Sequence, residues 1–530
     1  MPDLEGRALF TAATSLTCLG FLLIGYDNGL MGGLVNATGF KDTFNNPDPA
    51  IFGLIVAIYE VGCFLGSVAT SVFGDDIGRK KSIGIGVVIM IIGALLQASA
   101  YTRAQIIVAR VVSGVGMGFI NSTVPVFQAE FSPKATRGLC LHAIIDSELW
   151  DLLGLLDRLR LHAIVHCLVF LEIPMLGLLA IVPESPRWLA AHEKTDESLI
   201  VLARLHSYHM TEEQIESLHL DIVRTCEFEK SLGTGSWSDL FKNDAIQSQR
   251  RFLIACAIQS FQQLGGINAL IYYSNTLFST SLGFTDHLSA LMSGFLQTWF
   301  FAASFIPWLL IDRIGRRPLL LSMISVMSIV MIVQTALIYN VQNNTSIAKG
   351  CGIGAAVMLF VFEGAFTIGF QATVWVYPSE ILPLRLRQRG SSVSTACNWI
   401  FNYTIVQITP IALNKIGYKT YIVFGVLNAC WIPVIYLYFP ETKGLELEDV
   451  DKIFERGHGA IEGPSSLERD DEEFGGVSAL DGEGRNTSSE NPSGSRSGSG
   501  SSVAKQRKLF TDNGKGRKEE IEWVVSGEHL

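Results

Sequence analysis

The chain has 530 residues, of which 48% are apolar and 17% are Asp, Glu, Lys or Arg, well below the roughly 25% charged residues of ordinary soluble domains. That balance excludes a small secreted domain and a single soluble core of this size, and the formal charge of -10 gives a nucleic-acid partner no support. Much of the acid sits in a polar C-terminal tail, so the rest of the chain is more apolar than its mean hydropathy of +0.33 conveys.

Apolar runs of spanning length fall at 9–33, 51–73, 83–101, 104–129, 163–182, 252–276, 287–311, 318–340, 350–378, 392–413 and 417–439. A helix needs about 20 such residues to cross the hydrocarbon core. With a twelfth span expected near 139–160, they predict an all-α membrane protein. Residues 1–189 then form an N-terminal helix bundle, 190–251 a cytoplasmic helical linker, 252–444 a C-terminal helix bundle and 445–530 a cytoplasmic tail. The start, MPDLEGR, reads as a short polar lead into a retained membrane helix, not a cleavable signal. In the linker, Thr211-Glu-Glu-Gln214 reads as a capping box. Residues 445–456 read as a short amphipathic helix, and the Ser-, Gly- and acid-rich remainder as disorder. The nine cysteines, with no CxxC among them, read as small apolar packing residues.

Charge sets the orientation. Alternate short loops carry Arg79, Lys80, Lys81, Lys134, Arg137, Arg313, Arg316, Arg317, Arg385, Arg387 and Arg389, against Lys41, Arg103, Lys349, Lys415 and Lys419 on the other set. The richer set is expected in the cytosol, with both termini and the linker. Sequons at Asn36 and Asn343 then fall on the outer side.

The chain also repeats itself. Gly78-Arg-Lys-Lys81 recurs as Gly315-Arg-Arg317, Glu130 with Arg137 recurs as Glu380 with Arg387, and Pro183-Glu-Ser recurs as Pro440-Glu-Thr. Two halves with matching loop chemistry are the plan of a secondary transporter with a site at the midplane.

Six motifs in order carry a family resemblance over roughly residues 8–456: Gly25-Tyr-Asp-Asn-Gly29, Gly74-Asp-Asp-Ile-Gly-Arg-Lys80, Pro183-Glu-Ser-Pro-Arg187, Gln262-Gln-Leu-Gly-Gly-Ile-Asn268, Asp312-Arg-Ile-Gly-Arg-Arg317 and Pro440-Glu-Thr-Lys-Gly444. The chain resembles the sugar porter family of the major facilitator superfamily, in the style of fungal sugar and polyol transporters. The resemblance implies the major facilitator fold, two six-helix halves around a central cavity, in a plasma membrane. It also implies a monomer with no cofactor, moving a monosaccharide or related polyol by alternating access, with proton coupling left open.

Sugar hydroxyls need partners that both donate and accept, and amides do both. Gln262, Gln263 and Asn268 interrupt an apolar run. On a regular helix Gln262 and Asn268 lie about 240° apart and Gln263 and Asn268 about 140° apart, so one straight helix does not aim all three at one point. Gly265-Gly266 permits a break between them. Asn398 and Asn402 are spaced i,i+4 and share a face, with Trp399 between them. By resemblance, Gln262, Gln263, Asn268, Asn398 and Asn402 contact the sugar, Trp375 stacks on it, and Tyr272 and Tyr273 form an outer gate. The family's Gly-Pro before that tryptophan is replaced by Gln371-Ala-Thr-Val374, which puts glucose selectivity in doubt. Trp399 reads equally well as packing. Interhelical hydrogen bonding is the competing reading of the amides.

Asp27 is a carboxylate inside the first span, functional by default, with Arg110 its partner by family analogy. A change in that pairing on substrate binding would couple to a proton; a fixed structural ion pair is the alternative. Glu60 reads as a helix contact, and Gly114 with Gly118 as close helix packing. By resemblance Asp75, Arg79, Glu130, Arg137, Asp312, Arg316, Glu380 and Arg387 form charge networks that close the inner face. No GxxxxGK[ST] or HExxH occurs, so neither an ATP-driven pump nor an enzyme is expected.

One region departs from the pattern. Where span five belongs, Asp146, Glu148, Asp151, Asp157, Arg158 and Arg160 crowd the chain. At about 2.5–3.5 kcal/mol per central charge, independent insertion is implausible. A mis-spliced or degraded stretch at 139–162, leaving an inactive product, competes with cooperative insertion around a cavity. A transporter-like nutrient sensor is the other alternative, with the tail recruiting partners.

Overall fold

The computed structural model describes residues 4–34, 44, 49–132, 161–207, 210–281, 283–343, 346–371, 373–445, 447 and 449–455. The tail beyond 455, the charged segment up to 160, Arg137 and Asn36 lie outside the described residues. The chain divides into a unit at Met1–Arg469 and a second at Asp470–Leu530, and only the first contains described residues. Every regular element among those residues is a helix, with no strand among them.

The helices are α1 Gly6–Leu34, α2 Pro49–Ile77, α3 Arg79–Ala98, α4 Arg103–Phe131, α5 Leu161–Ile181, α6 Pro186–Ala191, α7 Thr195–His206, α8 Glu212–Leu232, α9 Ser248–Leu264, α10 Ile267–Thr276, α11 Asp286–Ile314, α12 Arg316–Gln342, α13 Ala348–Phe366, α14 Thr373–Ile381, α15 Leu384–Ile416, α16 Lys419–Tyr438 and α17 Asp449–Glu455. Among the described residues, 8 helical segments are long and apolar enough to cross a membrane. Both α9 and α15 fall outside that set; α9 is 17 residues long because the span breaks at the glycine pair, and polar side chains lower the hydropathy of both. These are Gln259, Gln262 and Gln263 on α9 and Asn398 and Asn402 on α15.

Two apolar cores hold the unit. One gathers Leu16, Phe21, Tyr59, Met90, Ile120 and Phe127 from α1 to α4; the other gathers Phe252, Ile258, Leu320, Phe362, Phe424 and Ile435 from α9 to α16. Helices α2 and α4 cross closely because a Cβ on Gly114 or Gly118 would come within 2.3 Å of the Tyr59 carbonyl or 2.4 Å of the Cys63 carbonyl. Their small faces replace side-chain packing with backbone proximity. Trp375 and Trp399, from the later helices, pack into the first core.

One difference from the sequence reading concerns the start of a helix. The span expected at 392–413 is part of a helix that begins at Leu384. Arg385, Arg387 and Arg389 therefore stand on its first turns, not in a loop. The Glu229 carboxylate of α8 accepts the backbone N–H of Leu384 at 2.9 Å and of Arg385 at 2.7 Å, satisfying donors that open a helix. In the linker the capping box at Thr211 is formed, with Thr211 N–H to Gln214 Oε1 at 3.0 Å.

Candidate solute-binding and gating site

The span expected at 252–276 breaks at the glycine pair. Gly266 has φ +95°, in the left-handed region that L side chains avoid. A Cβ there would lie 2.8 Å from the Phe424 ring. Asn428 on α16 donates Nδ2 to the Gly265 carbonyl at 3.2 Å, so one carbonyl at the break keeps a partner.

The break lets the amides converge. Asn268 on α10 donates Nδ2 to Gln263 Oε1 at 2.5 Å and to Asn402 Oδ1 at 2.7 Å. Gln263 donates Nε2 to Asn398 Oδ1 at 2.9 Å. Asn398 donates Nδ2 to Gln262 Oε1 at 2.5 Å and to Gln259 Oε1 at 2.7 Å. Gln259 was missed in the sequence, although its i,i+3 and i,i+4 spacing to Gln262 and Gln263 was there to read. It also ties α9 to α14 by donating Nε2 to the Val374 carbonyl at 3.1 Å. Asn398 is thus the hub of a mutually satisfied amide cluster. Amides held in this way can exchange their bonds for those of a hydroxyl-bearing molecule, at a small net value per exchange.

Aromatic rings border the cluster. Trp375 on α14 stands edge-on to Phe21 of α1 at 5.9 Å, and Trp399 on α15 edge-on to Tyr59 of α2 at 6.4 Å. Gln371 ends the π-helical turn Thr367–Gln371 before α14. Tyr272 and Tyr273 are half-buried on α10. Tyr273 departs from helical geometry (φ −112°, ψ 15°) and its hydroxyl donates to the Val406 carbonyl of α15 at 2.9 Å.

Asp27 and Arg110 meet. Arg110 Nη1 lies 2.6 Å from Asp27 Oδ2, with both side chains at most 2% exposed. The guanidinium also sits 4.3 Å above the Tyr59 ring. One face of the pair therefore leads through Tyr59 to Trp399, beside the amide hub.

At the helix ends that carry the Gly-Arg turns, Arg79 reaches Asp75 at 2.9 Å and Glu130 at 3.4 Å; its counterpart Arg316 reaches Asp312 at 3.0 Å and Glu380 at 3.0 Å. Glu380 also takes the Thr442 hydroxyl at 2.6 Å, while Arg387 of α15 reaches Glu130 of α4 at 3.7 Å. That bond links the two cores, and it arises because α15 packs along α2 and α4. Gln388 adds a second link, donating to Thr123 at 3.2 Å. Sequence reasoning quoted Glu184 and Glu441 without a role. Glu184 accepts the Lys80 N–H at 3.1 Å, and Glu441 accepts the N–H of Arg316 and Arg317 at 3.0 Å each. Each caps the helix that follows the repeated Gly-Arg turn.

The linker completes this layer. Arg385 pairs with Asp244 and lies 3.5 Å from Asp239. Arg251 lies 2.6 Å from Asp451 and 4.8 Å from the Phe454 ring of α17. Burial, with Asp451 nearby, pushes the Glu229 carboxyl up to about 7 against the pull of its two backbone donors. Among the described residues no cluster of His, Cys, Asp and Glu fits a metal ion.

A family model described as "Sugar (and other) transporter" matches residues 13–143 and 156–454. The chain belongs to that family. Sugar transporter STL1 of Saccharomyces cerevisiae is 33% identical over 482 residues, 86% of this chain and 83% of that one. The high-affinity glucose transporter of Kluyveromyces lactis is 31% identical over 471 residues, 83% of this chain and 84% of that one. Among solved structures, the proton:xylose symporter XylE bound to 6-bromo-6-deoxy-D-glucose overlays with a TM-score of 0.72 at 22% identity, covering 85% of this chain and 100% of that chain. At that identity the overlay establishes the major facilitator fold and nothing finer. A member of the Sugar (and other) transporter family is a multi-pass membrane transporter, not an enzyme. The family match skips 144–155, inside the charged segment singled out above.

Proposed function

We propose that the chain carries a monosaccharide or related polyol across a fungal plasma membrane by alternating access, with both termini in the cytosol. The observation that carries this reading is the amide cluster of Gln259, Gln262, Gln263, Asn268, Asn398 and Asn402, assembled from α9, α10 and α15 around a helix break. It offers donors and acceptors to hydroxyls at the depth where two helical halves meet. The inner charge layer is engaged, which is the arrangement of a carrier closed toward the cytosol. The buried Asp27–Arg110 pair supports coupling to protons. The test is reconstitution of the full chain in liposomes with labelled hexose, pentose and glycerol in turn. Saturable exchange of one of them is expected, and its absence for all three sinks the reading.

The interrupted family match favours a second reading, an inactive product of a replaced span five. Sequencing the transcript across codons 138–166 decides it. An apolar span carrying a glutamine there makes this chain an artefact of splicing, whereas the residues shown, together with failed exchange, make it a lost function.

A further inference from the structure

The linker presents two faces at Trp237–Phe241, a single 3-10 turn ahead of α9. The Asp239 carboxylate accepts the Ser236 N–H at 3.1 Å, which closes the turn and fixes its facing. Asp239 and Leu240 point inward, at 1% and 0% exposure, and Leu240 belongs to the second core. Trp237 and Phe241 point outward, at 40% and 59% exposure. Exposed apolar side chains scattered singly need no explanation. These two are neighbours on one rooted turn, and their position gives them a partner.

The Phe241 ring lies edge-on to Phe252 of α9, with 5.5 Å between centroids. The next residue, Leu253, is 55% exposed and is the first large apolar side chain that α9 turns outward. Successive residues rise only about 1.5 Å along a helix, so Phe241 stands at the depth where this span begins to face lipid. Arg250, two residues before Phe252, donates Nη2 to the Tyr438 carbonyl at the end of α16 at 3.4 Å. There Tyr436, Leu437 and Tyr438 are 50%, 55% and 52% exposed, and the Arg317 guanidinium sits 5.1 Å over the Tyr436 ring. Exposed aromatics backed by arginine at the end of a span mark the headgroup boundary. Trp237 and Phe241 continue that belt from α16 across α9 onto the linker.

The geometry points to the turn Trp237–Phe241 as a membrane anchor, whose two rings enter the boundary between headgroups and acyl chains. The neighbouring charge says which lipid is needed. Lys242 has its ammonium 2.6 Å from the buried Asp239 carboxylate, so it is already paired and does not call for an anionic headgroup. Zwitterionic lipid suffices. The inner face of the turn carries the consequence. Asp239 lies 3.5 Å from Arg385 on the first turn of α15, and Arg389, one turn further on, donates to the Gly235 carbonyl. The bilayer thereby holds the linker where it grips the helix that reaches Glu130 through Arg387.

The test uses the full chain in nanodiscs of phosphatidylcholine, with bromine on the acyl carbons nearest the headgroup as a contact quencher. Emission lost in Trp237→Phe reads Trp237 by difference, and emission gained in Phe241→Trp reads the second position. Both are expected to be at least halved by the brominated lipid and to resist aqueous iodide. Quenching by iodide instead overturns the anchor. Quenching by neither also overturns it, because the rings are then covered by protein. In the second arm, Trp237→Ser combined with Phe241→Ser is expected to speed amide hydrogen exchange at Leu384–Gln388 several-fold in the same nanodiscs. An unchanged rate there overturns the tie between the bilayer and α15.

Discussion

Asn268 donates to Asn402 at 2.7 Å across the contact between α10 and α15. A straight helix would turn Asn268 away from Gln263 by about 140°, so this bond exists because Gly265 and Gly266 interrupt the span. It makes the helix break a property of the amide cluster as much as of the fold.

The Asn398→Ala variant is expected to weaken solute binding more than Asn402→Ala. Removing Asn398 takes one partner each from Gln259, Gln262 and Gln263, and a buried polar group left unsatisfied costs roughly 1–3 kcal/mol. At 1.4 kcal/mol per factor of ten, that is about a tenfold or greater rise in the half-saturating concentration. Exchange kinetics with the solute found in liposomes check it; equal losses in the two variants would deny the hub.

Gly266→Ala forces a Cβ into a residue at φ +95° and to within 2.8 Å of Phe424. Backbone strain of this kind costs of order 1–3 kcal/mol, and the clash adds to it. The variant should melt below wild type in detergent, and a double variant Gly266→Ala with Phe424→Ala should not recover fully, because the strain remains. Full recovery would locate the whole cost in the ring contact.

The inner charge layer predicts a contrast between two acids. Glu130 is shared by buried Arg79 and Arg387, and breaking a buried pair costs about 3–5 kcal/mol. Asp76 meets Arg389 at 3.8 Å with a side chain 73% exposed, where a pair contributes about 1 kcal/mol or less. Glu130→Gln should therefore open the cytosolic face while Asp76→Asn leaves it shut. Labelling of a Ser391→Cys reporter by an impermeant thiol reagent from the cytosolic side reads the difference.

Glu229 predicts a pH dependence with a definite sign. Its folded value near 7 stands above the ordinary carboxylate value of 4.5, so the folded state binds the proton more tightly than the unfolded state. Its contribution to stability is present below the unfolded value, is lost as pH rises toward 7, and changes no further above that. The slope approaches about 1.4 kcal/mol per pH unit between the two values. Melting of the wild type between pH 4.5 and 7 should carry this component, and Glu229→Gln should flatten it.

Much of the architecture was legible because membrane helices announce themselves by local composition. The Gly-Arg turns, the Pro-Glu caps and the Gln262–Asn268 motif are short, so their residue types and spacing stood in the sequence together with the family resemblance. Partner choice was less legible. The sequence showed Glu380 and Arg387 only as a repeat of the Glu130 and Arg137 spacing and left the pairs within the charge networks open, whereas the fold gives Glu380 to Arg316 and brings Arg387 to Glu130.

Local sequence, then, determined where the helices run, where one breaks and which buried residues are polar, because hydropathy, helix period and glycine conformation act over a few residues. Only the tertiary structure decided that Gln259 joins the amides, that Glu229 caps α15 and that Arg110 stands among Asp27, Glu60 and Tyr59. Those relationships span tens to hundreds of positions. They depend on how closely helices such as α2 and α4 approach, which small residues permit but do not by themselves assign.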